Sequence, residues 1–203
     1  MEPPPLVVAI LDSKLGAFGK RSNHVIRRKT FFPDRLNQLD DHPVSHVDKM
    51  MDIIAHYNSR VKFITAELFV FEEYIPDVVD ICAALDWLSQ IEISIDIICI
   101  TFGKKCVDKE SVQLQNSLNR LLPKCTRVYA AISRPHINVI PASLPGVTPI
   151  VTNTYIGATI ESFSNRIVET ELLPKKVPYV FGGSCAALAN HIGKLLKDQS
   201  MDN

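Results

Sequence analysis

The sequence predicts an α/β protein whose sheet is doubly wound and mostly parallel, with helices on both faces. Apolar segments of strand length alternate with segments of helical periodicity, in the core order β-α-β-α-β-α-β. The first apolar run, residues 6–11, is almost entirely aliphatic, as expected of a strand buried on both faces. With 203 residues, 46% of them hydrophobic and 22% charged, the chain has the composition of one globular domain spanning residues 1–203.

The next elements are assigned from the spacing of their apolar residues. After an irregular stretch, residues 46–57 carry an apolar face at helical period, and Ser45 is placed to cap that helix. Residues 61–71 form a run of strand length, and residues 76–88 return to helical spacing. These three segments therefore supply two helices on either side of one strand in the sequence.

The second half repeats the alternation. Residues 93–102 read as a buried strand ending at Gly103. The remaining predicted elements are a helix over 108–122, short strands over 128–132 and 149–152, and a last helix over 184–196. In such a sheet, ligands bind at the carboxyl ends of the strands, so the polar residues that follow strands become the candidates for function.

Charge and cysteine content exclude several classes of protein. Lys+Arg and Asp+Glu both number 22, and basic residues cluster only in Arg27-Arg28-Lys29, so nucleic-acid binding is disfavoured. The chain start lacks a signal-peptide pattern, which predicts a cytoplasmic protein. No apolar run is long enough to span a bilayer, so we expect no association with a membrane. Five cysteines without C-x-x-C spacing and the lack of an EF-hand pattern predict no metal and no cofactor.

Four polar residues lie at positions where catalysis is expected. Asp12 ends the first strand, His42 and His46 lie before and at the start of the next helix, and Ser184 lies between a glycine pair and the last helix. A serine nucleophile needs an imidazole within hydrogen-bonding reach and a carboxylate on the other ring nitrogen. The alternative role of Ser184 is that of an ordinary helix N-cap.

The order Asp, His, Ser and the surrounding motifs resemble the subtilisin-like serine proteases. Asp12 with its strand resembles the family's strand-borne Asp-Ser-Gly motif, and Gly182-Gly183-Ser184-Cys185-Ala186-Ala187 resembles Gly-Thr-Ser-Met-Ala-Ala-Pro, whose serine is the nucleophile. Residues 96–103 resemble the strand ending in Ser-Leu-Gly that walls the substrate cleft, and residues 141–147 resemble a Pro-Ala-x-x-Pro-x-Val segment. The resemblance covers nearly the whole chain and implies a shortened subtilisin-like fold.

The family's histidine motif allows two alignments with this chain. Pairing His46 with the first histidine of His-Gly-Thr-His-Val-Ala-Gly-Ile-Ile-Ala continues without a gap through residues 46–55, which end on the same Ile-Ile-Ala. The other alignment places Pro43 at the catalytic position and leaves His42 one residue out of step. The resemblance therefore implies His46 as the base, with His42 as the alternative and His24 as a more distant one.

Several departures from the family pattern surround these residues. Lys14 replaces the glycine after the Asp-Ser pair, and residues 47–49 replace the Gly-Thr-His that follows the base. Arg134 stands where the family has the Asn that stabilises the oxyanion, so the resemblance makes Arg134, Ser133 or Asn138 the candidate donor. These substitutions predict a weakened site.

The resemblance implies one of two functions. The first is a serine endopeptidase of restricted specificity that processes a peptide or protein substrate, such as a precursor or leader peptide. The second is a pseudoprotease that binds peptides or serves as a subunit beside a protein partner or in a homo-oligomer. A nucleotide-binding protein of the same fold class is disfavoured, because residues 6–19 contain no phosphate-binding glycine loop.

Overall fold

The structure is a computed structural model that describes residues 4–16, 21–33, 44–70, 76–105, 108–132, 139–152, 168–170 and 183–201. The described strands are β1 (Val7–Ser13), β2 (Val25–Thr30), β3 (Lys62–Phe69), β4 (Ile95–Ile100), β5 (Cys125–Ala131), β6 (Val147–Thr152) and β7 (Val168–Thr170). The described helices are α1 (His46–Tyr57), α2 (Val78–Gln90), α3 (Asp108–Leu121) and α4 (Gly183–Met201). None of these helices has the length and apolarity that crossing a membrane requires.

The described strands form one sheet in the order β2-β3-β1-β4-β5-β6-β7, and neighbouring strands are parallel throughout. The predicted α/β fold class is confirmed. Strand β1 lies between β3 and β4: the chain first places β2 and β3 on one side of β1 and then places β4 to β7 on the other side. The carboxyl end of β1 is therefore a topological switch point, where open α/β sheets bind their ligands.

Two strands were not predicted from the sequence. Strand β2 lies at the edge of the sheet and pairs with β3, and its Arg27-Arg28-Lys29 run is exposed. Charged residues are common on edge strands, and here they remove the apolar pattern on which a strand prediction depends. Strand β7 has three residues, too few to carry a pattern.

The two faces of the sheet are buried under different helices. Along β1, Val7, Ala9 and Leu11 join a cluster with apolar residues of α2 and α3. The alternate residues Val8 and Ile10 join a second cluster with residues of α1 and α4. Because successive side chains of a strand point to opposite faces, one aliphatic run supplies both cores. Because both faces of β1 are buried, residues 6–11 are apolar throughout and do not alternate between apolar and polar side chains.

Helices α1 and α4 pack closely against each other on one face. A Cβ at Gly193 would overlap the ring of Tyr57, so glycine is needed for this approach. The Tyr57 hydroxyl donates a hydrogen bond to Asn190 Oδ1, next to the same contact. Both helices follow parallel strands and therefore begin at the carboxyl edge of the sheet. The packing thus brings His46 and the first turn of α4 to the same edge.

Candidate active site

Asp12 and His46 are joined directly at the carboxyl end of β1. The side chain of Asp12 is fully buried, and its Oδ2 and Oδ1 atoms lie 2.7 Å and 2.9 Å from His46 Nδ1. The backbone N–H of Ser13 also donates to Asp12 Oδ1 at 2.5 Å. The carboxylate is therefore held in place and fixes which nitrogen of the imidazole faces it.

The first turn of α1 holds His46 in position. Ser45 is the N-cap, and Asp48 completes a capping box by accepting the Ser45 backbone N–H at 2.8 Å. The same Asp48 oxygen accepts the backbone N–H of Gly16, in the segment after β1, at 3.0 Å. A third link joins the Val47 N–H to the Ser13 hydroxyl at 3.4 Å. The helix that carries the imidazole is thus tied to the strand that carries the carboxylate.

The imidazole of His46 is held in its protonated form. Burial acts to lower the pKa of His46, but its charge interactions and hydrogen bonds with Asp12 and Cys185 together raise that pKa from 6.5 to about 10. The side chain is 28% exposed, so the ring still meets solvent. At neutral pH the ring therefore carries a proton that it can donate.

Ser184 and Cys185 point in different directions at the start of α4. Ser184 is buried, and its hydroxyl donates to the Ile132 carbonyl oxygen at the end of β5. The Cys185 thiol is half-buried, shares a hydrogen bond with the His46 ring, and donates to the Thr101 carbonyl oxygen after β4 at 3.0 Å. The structure therefore brings Asp12, His46 and Cys185 together, and directs the Ser184 hydroxyl at the backbone.

Solved structures of other proteins share this architecture. The chain superposes on the prenylagaramide maturation protease PagA with a TM-score of 0.71 at 15% identity, covering 98% of this chain and 77% of that one. For a mutant of the protease domain of PatA the TM-score is 0.68 at 15% identity, with 97% and 80% covered. For a cold adapted subtilisin-like serine proteinase it is 0.66 at 12% identity, with 98% and 77% covered. The chain has a subtilisin-like fold. No protein-family model and no curated protein sequence matches it.

The backbone at Gly183 bears on how the nucleophile motif of subtilisin-like proteases aligns with this chain. Gly183 has a φ of 63°, in the left-handed region that β-branched residues strongly disfavour. The alignment that places Ser184 on the family serine pairs Gly183 with a threonine. Moving the motif by one residue pairs Gly183-Ser184-Cys185-Ala186-Ala187 with Gly-Thr-Ser-Met-Ala instead. The glycine then stands on a glycine, and Cys185 stands on the position of the nucleophile.

Of the other predicted site residues, the structure describes only His24. His42, Ser133, Arg134 and Asn138 lie outside the described residues. His24 lies just before β2, where its Nδ1 is 3.1 Å from the Val61 carbonyl oxygen. That position is at the amino edge of the subtilisin-like sheet, opposite to Asp12.

Two buried acidic residues near the site were not given a role from the sequence. Asp48 had a detectable signal, because an acidic residue three positions after a serine is the signature of a capping box. Glu67 lies opposite Asp12 in the register of β1 and β3. Its carboxylate accepts the Thr30 hydroxyl at 2.8 Å and the Leu15 backbone N–H at 3.3 Å. Glu67 lies within an apolar run of the sequence, and no pattern in that run indicates the hydrogen-bond partners of its carboxylate.

Proposed function

We propose that this protein is a subtilisin-like endopeptidase that cleaves a restricted set of peptide or protein substrates, such as a precursor or leader peptide. The observation that carries the proposal is the Asp12–His46 pair, set at the switch point of the sheet beside the nucleophilic side chains of Ser184 and Cys185. A maturation protease and a protease domain share the fold, which supports the same assignment.

The arrangement has the parts that acyl transfer requires. Asp12 orients the imidazole of His46 and stabilises its charged form, as the carboxylate of a triad does. The first turn of α4 presents backbone N–H groups without helical partners, which can stabilise an oxyanion next to the nucleophile. We keep Arg134, Ser133 and Asn138 as proposed additional donors. Ser184, the nucleophile predicted from the sequence, is one of two side chains available at this position.

The test is the hydrolysis of a mixed peptide library, with products identified by mass spectrometry. We expect wild-type protein to cleave a small subset of peptides and His46→Gln to cleave them about 1000-fold more slowly. The matched control is His56→Gln, because His56 lies on the same helix but is exposed. Equal cleavage by wild type and His46→Gln would refute the proposal.

A pseudoprotease is the second candidate function. The observation that favours it is the Ser184 hydroxyl, which is occupied by the Ile132 carbonyl rather than directed at His46. In that case the cleft would bind an extended peptide, or a partner protein, without cutting it. Peptides of the library that are retained by the protein on size-exclusion chromatography and recovered intact would support this alternative over the endopeptidase.

A further inference from the structure

The first turn of α4 places two adjacent nucleophilic residues in different surroundings. The Ser184 side chain is 6% exposed, and its hydroxyl is satisfied by a backbone carbonyl. Cys185 is more exposed and contacts the imidazole that Asp12 orients. Since Asp12 occupies Nδ1 of His46, Nε2 is the ring nitrogen that serves the thiol. Carboxylate, imidazole and sulfur thus form one chain of contacts.

We propose that Cys185, and not Ser184, is the attacking nucleophile, so that the chain is a cysteine peptidase built on a subtilisin-like fold. This inference rests on the proposed endopeptidase function and specifies its chemistry. The geometry that supports it is the contact of Cys185 with His46, the orientation of the Ser184 hydroxyl towards Ile132, and the left-handed backbone of Gly183.

The protonation of His46 separates the two nucleophiles. A serine hydroxyl is scarcely ionised at neutral pH and needs a neutral imidazole to take its proton during attack. A cysteine attacks as a thiolate, which is stable beside an imidazolium and at a helix N-terminus. With its pKa raised to about 10, His46 is protonated at neutral pH. An imidazolium can pair with a thiolate but cannot take a proton from a serine hydroxyl, and the interactions with Cys185 are part of what raises this pKa.

The reaction balances with the groups present and one water molecule. The Cys185 thiolate attacks the scissile carbonyl carbon, a sulfur–carbon bond forms, and the carbonyl π pair moves to oxygen. The intermediate collapses, the carbon–nitrogen bond breaks, and His46 Nε2 gives its proton to the leaving amine. Water then attacks the thioester as neutral His46 takes its proton. The carbon–sulfur bond breaks and releases the acid, which restores the thiolate–imidazolium pair.

The Thr101 carbonyl supplies a further constraint on the sulfur. Thr101 is anchored to β1, because its backbone N–H and its hydroxyl both donate to the Leu11 carbonyl oxygen, at 3.3 Å and 3.1 Å. Its own carbonyl oxygen accepts the S–H of the neutral Cys185 thiol, a bond that ends when the thiol ionises. The sulfur is therefore positioned between a fixed strand end and the imidazole, whereas an unconstrained surface cysteine would rotate among its rotamers.

Site-resolved alkylation by iodoacetamide tests the state of the sulfur without any substrate. At about pH 6 an ordinary thiol is well under 1% ionised, so fast alkylation reports a thiolate stabilised by its surroundings. We expect Cys185 to react at least about tenfold faster than free cysteine at the same pH, and to lose that advantage in His46→Gln but not in His56→Gln. Cys125 serves as the unreactive control, because burial raises the pKa of its thiol to about 11. Alkylation of Cys185 that is no faster than that of free cysteine, or that is unaffected by His46→Gln, would overturn the inference.

Hydrolysis of the peptides identified with wild-type protein then separates this inference from the proposed function. We expect Cys185→Ala to lose about 1000-fold or more in kcat/KM, and Ser184→Ala to lose less than about tenfold. Cys125→Ser is the control for loss of a cysteine at the opposite edge of the sheet, and we expect no loss of activity. If Ser184→Ala abolishes cleavage while Cys185→Ala retains it, the cysteine assignment fails and the endopeptidase stands. If wild type cleaves nothing although Cys185 alkylates rapidly, the endopeptidase and the cysteine peptidase both fail, and Cys185 is an activated thiol without peptidase activity.

Discussion

Helices α1 and α2 begin with the same local device in two different environments. Both carry a capping box, formed by Ser45 and Asp48 in α1 and by Asp77 and Asp80 in α2. The α2 box is at the surface, with two reciprocal hydrogen bonds of 3.0 Å. The α1 box is buried, and its Asp48 also accepts the backbone N–H of Gly16. The α2 box only caps the start of its helix, whereas the α1 box also joins its helix to the segment after the strand that holds Asp12.

Burial of Asp48 changes what its carboxylate does for stability. Burial raises the pKa of Asp48, while hydrogen bonds from Ser45 and Gly16 oppose that shift. A raised folded-state pKa means that the folded protein binds this proton more tightly than the unfolded chain, so ionisation of Asp48 lowers stability as the pH rises through that range. The charge of Asp48 therefore costs stability, while its oxygen links Ser45 and Gly16 at the first turn of the helix that carries His46.

The largest expected effect is the difference in unfolding free energy lost when the acidic residue of each capping box is removed. Asp48→Ala leaves three buried donors without their acceptor, on Ser45 and Gly16, and we expect it to lower the free energy of unfolding by about 3 kcal/mol. Asp80→Ala removes an exposed cap and should lower it by about 1 kcal/mol. Urea denaturation of both variants measures the difference. Equal losses would mean that burial and the Gly16 contact add nothing to the box of α1.

The next effect concerns the first residue of each helix, which is charged His46 in α1 and apolar Val78 in α2. Because the pKa of His46 rises from 6.5 to about 10 on folding, its protonation stabilises the protein fully below pH 6.5, and this contribution is lost as the pH rises through about 10. Allowing for a ring that is 28% exposed, we expect a loss on the order of 2 kcal/mol.

The free energies of unfolding of wild type and His46→Gln, measured from pH 6.5 to about pH 10, test whether the contribution of His46 to stability falls as the pH rises. The wild-type curve should fall relative to that of the variant, since groups common to both proteins cancel. Asp12 and Cys185 are the groups that hold the proton on the ring, so Asp12→Asn should flatten the wild-type decline as well. Parallel curves for wild type and His46→Gln would contradict the raised pKa.

The sequence predicts the strand that carries Asp12 and the helix that carries His46 well, because the signals for these elements are local. The buried strand ending at Asp12 and the capped helix starting at His46 each follow from a short pattern and a rule for parallel sheets. The choice between Ser184 and Cys185 as the nucleophile does not follow from a short sequence pattern. Neighbouring residues on a helix point about 100° apart, so an error of one position redirects the side chain. The Gly182-Gly183 pair permits both alignments, and they are separated by the backbone angle at Gly183 and by the contacts of the Ser184 and Cys185 side chains.

The smallest expected effect tests whether the buried box positions the site rather than only stabilising it. Asp48→Asn keeps an acceptor for Ser45 and Gly16 but removes the charge, and we expect it to slow alkylation of Cys185 by about tenfold, equivalent to about 1.4 kcal/mol. Asp80→Asn, the matched change in α2, should leave that rate unchanged.

Both alkylation rates are measured at a temperature where each variant remains folded by circular dichroism, so that loss of structure does not contribute. In peptide hydrolysis, Asp48→Asn should lower kcat with little change in KM, because Asp48 acts on the placement of His46 and not on substrate binding. If Asp48→Asn lowers the free energy of unfolding but leaves the alkylation rate and kcat at wild-type values, the two capping boxes differ in burial alone. The contact between Asp48 and Gly16 would then serve stability alone, and Asp12 would hold the His46 ring in place without help from Asp48.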